Sequence, residues 1–323
     1  MIFLQILILI FGFVFLVKGA DFFVDGASSV AKALKIPAVV IGLTIVSFGT
    51  SLPELAVSLT SAIEKVEGIA IGNVIGSNIV NLMLVAGCAA AISPMKMEKS
   101  LMKKDFPFSI LIAAALFVML ADKVFDPSAQ QNIISRADGI MLLILFVIFM
   151  YSTVSYTLSS QNAGTEQPET SAEEKTPLAK SILSTILGLA GVIIGGQMVV
   201  KSATFIAKTA GMSDTLIGLT VVAFGTSLPE LVTSVIAAKK GENEIAMGNV
   251  IGSNIFNILF ILGISAAIRP LNVDPACIFD TVILIFLSAL VWLMSRPKYQ
   301  LGRACGIIMI LLYAAYDVFV FLR

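Results

Sequence analysis

Two glutamates occupy equivalent places in two copies of one motif. The octapeptide FGTSLPEL stands at 48–55 and again at 224–231, which places Glu54 in the first copy and Glu230 in the second. Each lies near the middle of an apolar run, where a charged carboxylate is expensive unless it is paired, protonated or ligated. No Lys or Arg lies at matching depth in either run, so the missing counter-charge is most simply a bound cation. Pro53 and Pro229 remove a backbone donor and clash with the carbonyl four residues earlier, so each run is expected to kink or break there. Gly49 and Gly225 add local freedom. The carbonyls near Ser47–Gly49 and Ala223–Gly225 are expected to be freed toward the interior.

A second motif, GNVIGSN, stands at 72–78 and 248–254, followed by Asn81 and Asn257. Asn73, Ser77 and Asn81 recur every fourth residue and share one helical face, as do Asn249, Ser253 and Asn257. Thr50, Glu54 and Ser58 make a comparable stripe. Together these residues offer carboxylate, amide, hydroxyl and carbonyl oxygens without sulfur or imidazole. The chain has no histidine, which removes the commonest transition-metal ligand and the usual proton shuttle. An all-oxygen set suits Ca²⁺, Na⁺ or Mg²⁺. Architectural readings stand beside this one. Gly72/Gly76 and Gly248/Gly252 fit a GxxxG packing face, and Ser or Asn alone suits an interhelical hydrogen bond as well as an ion. Asp280 and Asp317 have no repeat partner and read as structural or interfacial.

The elements that position these groups follow from composition. Hydrophobic residues make up 58% of the 323 and charged residues 13%, against about a quarter charged in a soluble domain. The apolar residues form runs of membrane-spanning length without the alternation of barrel strands. Ten spans are expected, at about 2–22, 37–62, 68–92, 104–121, 138–156, 179–206, 214–238, 244–268, 278–295 and 302–322. The first reads as a retained span rather than a signal peptide. The polar stretch 159–177 reads as a flexible linker.

Residues 42–94 align without a gap to 218–270 at an offset of 176, with 30 of 53 positions identical. Each half, 1–158 and 178–323, carries five spans. An odd number inserts the second half upside down, giving an all-α membrane protein of ten transmembrane helices in two inverted five-helix repeats. Thirteen Lys and Arg fall on the side of the linker and seven on the other, so the linker is expected in the cytoplasm and both termini outside. A formal net charge of zero gives no long-range attraction to nucleic acid. Cys88, Cys277 and Cys305 are scattered and suggest neither a disulfide framework nor a metal cluster. No HExxH, nucleophile–histidine pair or phosphate-binding glycine loop points to an enzyme.

The paired GTSLPE and GNVIGSN motifs, together with the ten-span layout, resemble the Ca²⁺/cation antiporter superfamily, and in particular its prokaryotic sodium/calcium exchangers. The resemblance implies that Glu54 and Glu230 bind Ca²⁺ or Na⁺ in alternation near the membrane midplane. It adds Thr50, Ser51, Thr226, Ser227, Ser77 and Ser253 as oxygen ligands, with Asn81 and Asn257 completing the site. Some relatives, including K⁺-dependent exchangers, carry aspartate where this chain has Asn257, which argues against K⁺ co-transport. It implies a plasma-membrane antiporter exchanging Ca²⁺ for Na⁺ by alternating access, with inorganic cations and the bilayer as partners, no cofactor and no obligatory protein partner. A H⁺/Ca²⁺ antiporter of the same superfamily is the alternative, and a cation channel a more distant one.

Overall fold

A computed structural model describes residues 2–64, 67–162, 177–212 and 223–322, and most of them are helical. The first half holds α1 (Ile2–Leu34), α2 (Ala38–Thr50), α3 (Leu52–Ile63), α4 (Ile69–Ile92), α5 (Phe106–Leu120) and α6 (Arg136–Asn162). The second half holds α7 (Leu178–Thr209), α8 (Ala223–Thr226), α9 (Leu228–Lys239), α10 (Asn243–Ile268), α11 (Pro275–Ser295) and α12 (Arg303–Leu322). Among the described residues seven helices are long and apolar enough to cross a bilayer, and α2 with α3 forms an eighth, bent by 50°. The span expected at 104–121 carries α5, entered through a π-helical turn at Leu101–Asp105. The span expected at 214–238 is described only from 223 onward.

Two expected boundaries need correction. The first helix continues to Leu34 rather than stopping near 22. Asp21 and Asp25 interrupt the apolar run without interrupting the helix, because Lys240 meets both of them. Likewise α6 continues to Asn162, past the expected start of the linker, since polar residues end an apolar run sooner than they end a helix. Residues 163–176 of that linker lie outside the described residues.

The helices sort by burial. The apolar windows of α4 and α10 are 72% and 78% buried, against 11–33% for α1, α6, α7, α11 and α12. The two GNVIGSN helices therefore form the centre, and the others turn an apolar face outward, where lipid replaces water. Small residues set the closest approaches. A Cβ on Gly19 would stand 2.6 Å from the Val192 nitrogen, and one on Gly26 would stand 2.5 Å from that of Thr185. Glycines at 12, 19 and 26 thus let α1 lie backbone against backbone along α7, the small-residue packing typical of membrane helices.

Two short antiparallel ladders tie the halves together. β1 (Met95–Lys96) pairs with β4 (Gln300–Leu301), and β2 (Ile133–Ile134) pairs with β3 (Leu271–Asn272). Met95 and Leu271 are equivalent positions of the internal repeat, so each half lends the matching strand to the other.

Candidate cation site

The two FGTSLPEL segments fold alike. Helix α2 ends at Thr50 and α3 begins at Leu52, with Ser51 between them at φ −84°, ψ 9°. Ser227 does the same between α8 and α9 at φ −88°, ψ 4°. Pro53 and Pro229 fall in the first turn of the following helix, where the missing N–H leaves no bond unmade. The kink expected from proline is therefore present as a clean break. One detail differs from expectation: the Ser47 carbonyl is not free but accepts the Ser51 N–H at 3.1 Å. The break lies late enough for the preceding turn to close.

The break sets the glutamates. Glu54 and Glu230 each stand in the first turn of a helix, where the helix dipole favours negative charge. Both are wholly buried. Ser51 donates to Glu230 Oε1 at 2.8 Å, and Ser227 donates to Glu54 Oε1 at 3.3 Å. The bonds are reciprocal: each half's break-point serine holds the other half's glutamate. Thr226 also lies beside Glu54, and Thr50 beside Glu230, and the two glutamates are near neighbours. The second oxygen of each buried carboxylate has no hydrogen-bond partner among the described residues. Among the described residues no Lys or Arg forms an ion pair with either glutamate.

Around them the amides divide into two groups. Asn73 donates to Ser58 at 2.9 Å and Asn249 donates to Ser234 at 2.9 Å, again equivalent bonds in the two repeats. The outer members of the two stripes thus engage each other. The single Thr50 hydroxyl proton has the Val46 carbonyl at 3.1 Å and Asn249 Oδ1 at 3.0 Å as alternative acceptors, and the hydroxyl oxygen can itself accept or ligate. Asn81 and Asn257 sit on π-helical turns, Val80–Val85 and Asn257–Leu262. Such turns re-aim a side chain relative to the regular helix. Asn257 donates to Asn78 Oδ1 at 3.0 Å, and among the described residues its own Oδ1 and both side-chain polar atoms of Asn81 have no partner. Ser253 lies beside Glu230 with its Oγ in no hydrogen bond among the described residues, and its repeat equivalent Ser77 is also buried.

Asn78 and Asn254 are the residues that reading the motifs passed over. Asn78 donates to the Asn254 carbonyl at 3.2 Å and Asn254 donates to the Asn78 carbonyl at 3.1 Å. They clamp α4 to α10 where the repeats meet. Their signal was in the sequence, as the last residue of both GNVIGSN copies, but only the contact between copies reveals the role. The GxxxG reading holds for the second copy: a Cβ on Gly248 would come within 2.9 Å of Gly42 Cα, and one on Gly252 within 2.7 Å of Leu43 Cα.

Buried oxygens without partners are costly unless something electropositive satisfies them. Among the described residues those around the two glutamates include oxygens of Glu54, Glu230, Asn81, Asn257 and Ser253, all hard donors of the kind that hold Ca²⁺ or Na⁺. Comparison with known proteins agrees. The family model for the sodium/calcium exchanger protein matches residues 4–154 and 180–322. This chain belongs to the sodium/calcium exchanger family. The family member described here is 37% identical to the sodium/calcium exchanger MaX1 of Methanosarcina acetivorans, over 99% of both chains. It is 36% identical to the inner membrane protein YrbG of Escherichia coli, over 94% of this chain and 92% of that one. Among solved structures it matches the sodium-calcium exchanger NCX_Mj with a TM-score of 0.84, at 34% identity over 98% of both chains. MaX1 and NCX_Mj are described as sodium/calcium exchangers and YrbG as an inner membrane protein, so the family is one of exchangers and not of enzymes.

Proposed function

We propose that this exchanger moves Ca²⁺ in one direction and Na⁺ in the other through one central site, reached alternately from each face of the membrane. The observation that carries the reading is the pair of fully buried glutamates, each bonded once by the opposite repeat and each keeping one oxygen unpartnered. Two carboxylates with no basic partner match the charge of one Ca²⁺ or of two Na⁺, with neutral oxygens available to a further ion. The ligands of this reading are Glu54, Glu230, Asn81, Asn257, Thr50, Ser51, Thr226, Ser227, Ser77 and Ser253. Asn257, being neutral, supports exchange without K⁺.

Competition for the same charge gives the coupling. With the site empty, two unneutralised carboxylates face a low dielectric, a cost on the order of several kcal/mol per ion. The empty protein then crosses between access states rarely, and the loaded one crosses readily. Ten spans in two inverted five-helix repeats supply the two states, because halves of opposite orientation exchange roles. The reciprocal Ser51–Glu230 and Ser227–Glu54 bonds, and the matching β1–β4 and β2–β3 ladders, support that arrangement. Both termini lie outside and the linker in the cytoplasm, on the distribution of Lys and Arg.

The test is ⁴⁵Ca²⁺ uptake into proteoliposomes, driven either by an outward Na⁺ gradient or by a pH gradient, for wild type and Glu54→Ala. Na⁺-driven uptake lost in the variant supports the reading. Uptake driven by the pH gradient alone would replace Na⁺ with H⁺ as the counter-ion. Flux that persists in Glu54→Ala, or that needs no gradient, would displace the site itself.

A further inference from the structure

At one end of the α1–α7 pair a basic residue of the core grips two acids. Lys240, at the C-terminal end of α9, places its Nζ 2.6 Å from Asp21 and 2.7 Å from Asp25, both on α1. It also donates to the Asp21 carbonyl at 3.1 Å, and Ser28 of α1 donates to Glu242 at 2.5 Å two residues further along. The end of α1 is thereby fastened to the turn between α9 and α10.

The repeat assigns each of these residues an equivalent 176 positions away. Lys240 corresponds to Glu64, at the end of α3, and Asp25 corresponds to Lys201, on α7. The signs are reversed on both sides, so the attraction survives the exchange. Asp21 corresponds to Gln197, which is neutral. Yet the second contact is open in this structure: Glu64 and Lys201 are both exposed, and among the described residues neither forms an ion pair. One face is fastened and its mirror is not.

We propose that Lys240 with Asp21 and Asp25, and Glu64 with Lys201, are alternative latches on opposite faces of the membrane, one engaged in each access state. The proposal rests on the inverted-repeat carrier reading above. If the two halves exchange conformations between states, the Lys240 contact must open as the Glu64 contact closes. The latches are unequal, since Gln197 deprives the second of one acid–base pair. The state fastened at Lys240 is therefore favoured when no ion biases the protein. Partly exposed ion pairs are individually weak, so the latches shift the balance between states without locking either.

The test is hydrogen–deuterium exchange mass spectrometry on the full chain in nanodiscs, without Ca²⁺, for wild type, Lys240→Gln, Lys201→Gln and the charge swap Asp25→Lys with Lys240→Asp. Lys240→Gln should raise exchange about fivefold at 236–246 and lower it at 58–64 and 198–206. Lys201→Gln should leave the fastened end protected, and the charge swap should restore much of the wild-type pattern. Changes confined to the substituted face, with no opposite change across the membrane, would overturn the proposal. So would a swap that behaves like Lys240→Gln. Ca²⁺ binding measured on the same samples separates the two readings. Absent binding with reciprocal exchange counts against the cation site alone, and intact binding with one-sided exchange counts against the latches alone.

Discussion

Ser51 donates a 2.8 Å hydrogen bond to Glu230, a residue 179 positions away on the opposite repeat. The bond exists because the chain breaks at Ser51, leaving its hydroxyl at the mouth of α3 rather than on the flank of a helix. Removing it by Ser51→Ala takes a charge-assisted bond from a buried carboxylate, an effect of about 1.5–3 kcal/mol. The expected outcome is an apparent Ca²⁺ affinity weakened about tenfold or more, measured by ⁴⁵Ca²⁺ uptake at varied Ca²⁺. Ser227→Ala should do less, because its bond to Glu54 is longer, at 3.3 Å. Equal affinity in Ser51→Ala and wild type would remove Ser51 from the site.

Asn78 should matter to the fold before it matters to the ion. Its amide donates to the Asn254 carbonyl and accepts from Asn257. Asn78→Ala leaves the buried Asn257 amide group without its partner, at about 1–3 kcal/mol, and takes from the Asn254 carbonyl a second hydrogen bond beyond the one it accepts from the Asn257 backbone N–H. A lower melting temperature in detergent is expected, together with weaker Ca²⁺ binding, since Asn257 loses the contact that orients it. Asn78→Ala with unchanged thermal stability would contradict the clamp.

The sequence disclosed the carboxylates because a buried charge and a proline are exceptions to an apolar run, and both recur in the second copy. It disclosed the break at Pro53 and Pro229 for the same local reason. It did not disclose the π-helical turns holding Asn81 and Asn257, since an extra residue in a helical turn is fixed by packing against neighbours and has no local composition. Asn78 and Asn254 were visible as letters of the motif, but their mutual bonds join residues 176 apart. The length of α1 was hidden too, because Asp21 and Asp25 look like the end of a span until Lys240 is placed beside them.

The α1–α7 contact gives a graded steric test. A Cβ on Gly12 would stand 3.0 Å from Met198 Cβ, Val199 Cγ2 and the Val199 backbone nitrogen, a tight contact that a separation of a few tenths of an ångström relieves. On Gly19 the obstacle at 2.6 Å is backbone, which has no rotamer to change. Gly12→Ala should therefore keep most of the Na⁺-driven uptake, whereas Gly19→Val should abolish it or prevent accumulation of folded protein. Fluorescence-detected size-exclusion chromatography distinguishes those two outcomes. Wild-type transport by Gly19→Val would show that the close approach of α1 and α7 is dispensable.

The glutamates allow a stability test that needs no transport. Ca²⁺ binding to the folded protein alone adds stability by mass action, about 2.7 kcal/mol at a hundred times the dissociation constant. Wild type should therefore melt higher with Ca²⁺ than without it, and Glu54→Gln should lose that increment. Without any cation the order should invert. Glu54→Gln removes one of two buried charges that no basic residue offsets, and its amide still offers an oxygen to Ser227. The ion-free variant should thus melt above ion-free wild type, as expected where a buried charge costs more than its contacts return. A variant that is less stable without ions and still stabilised by Ca²⁺ would mean that Glu54 serves the fold and the ion binds elsewhere.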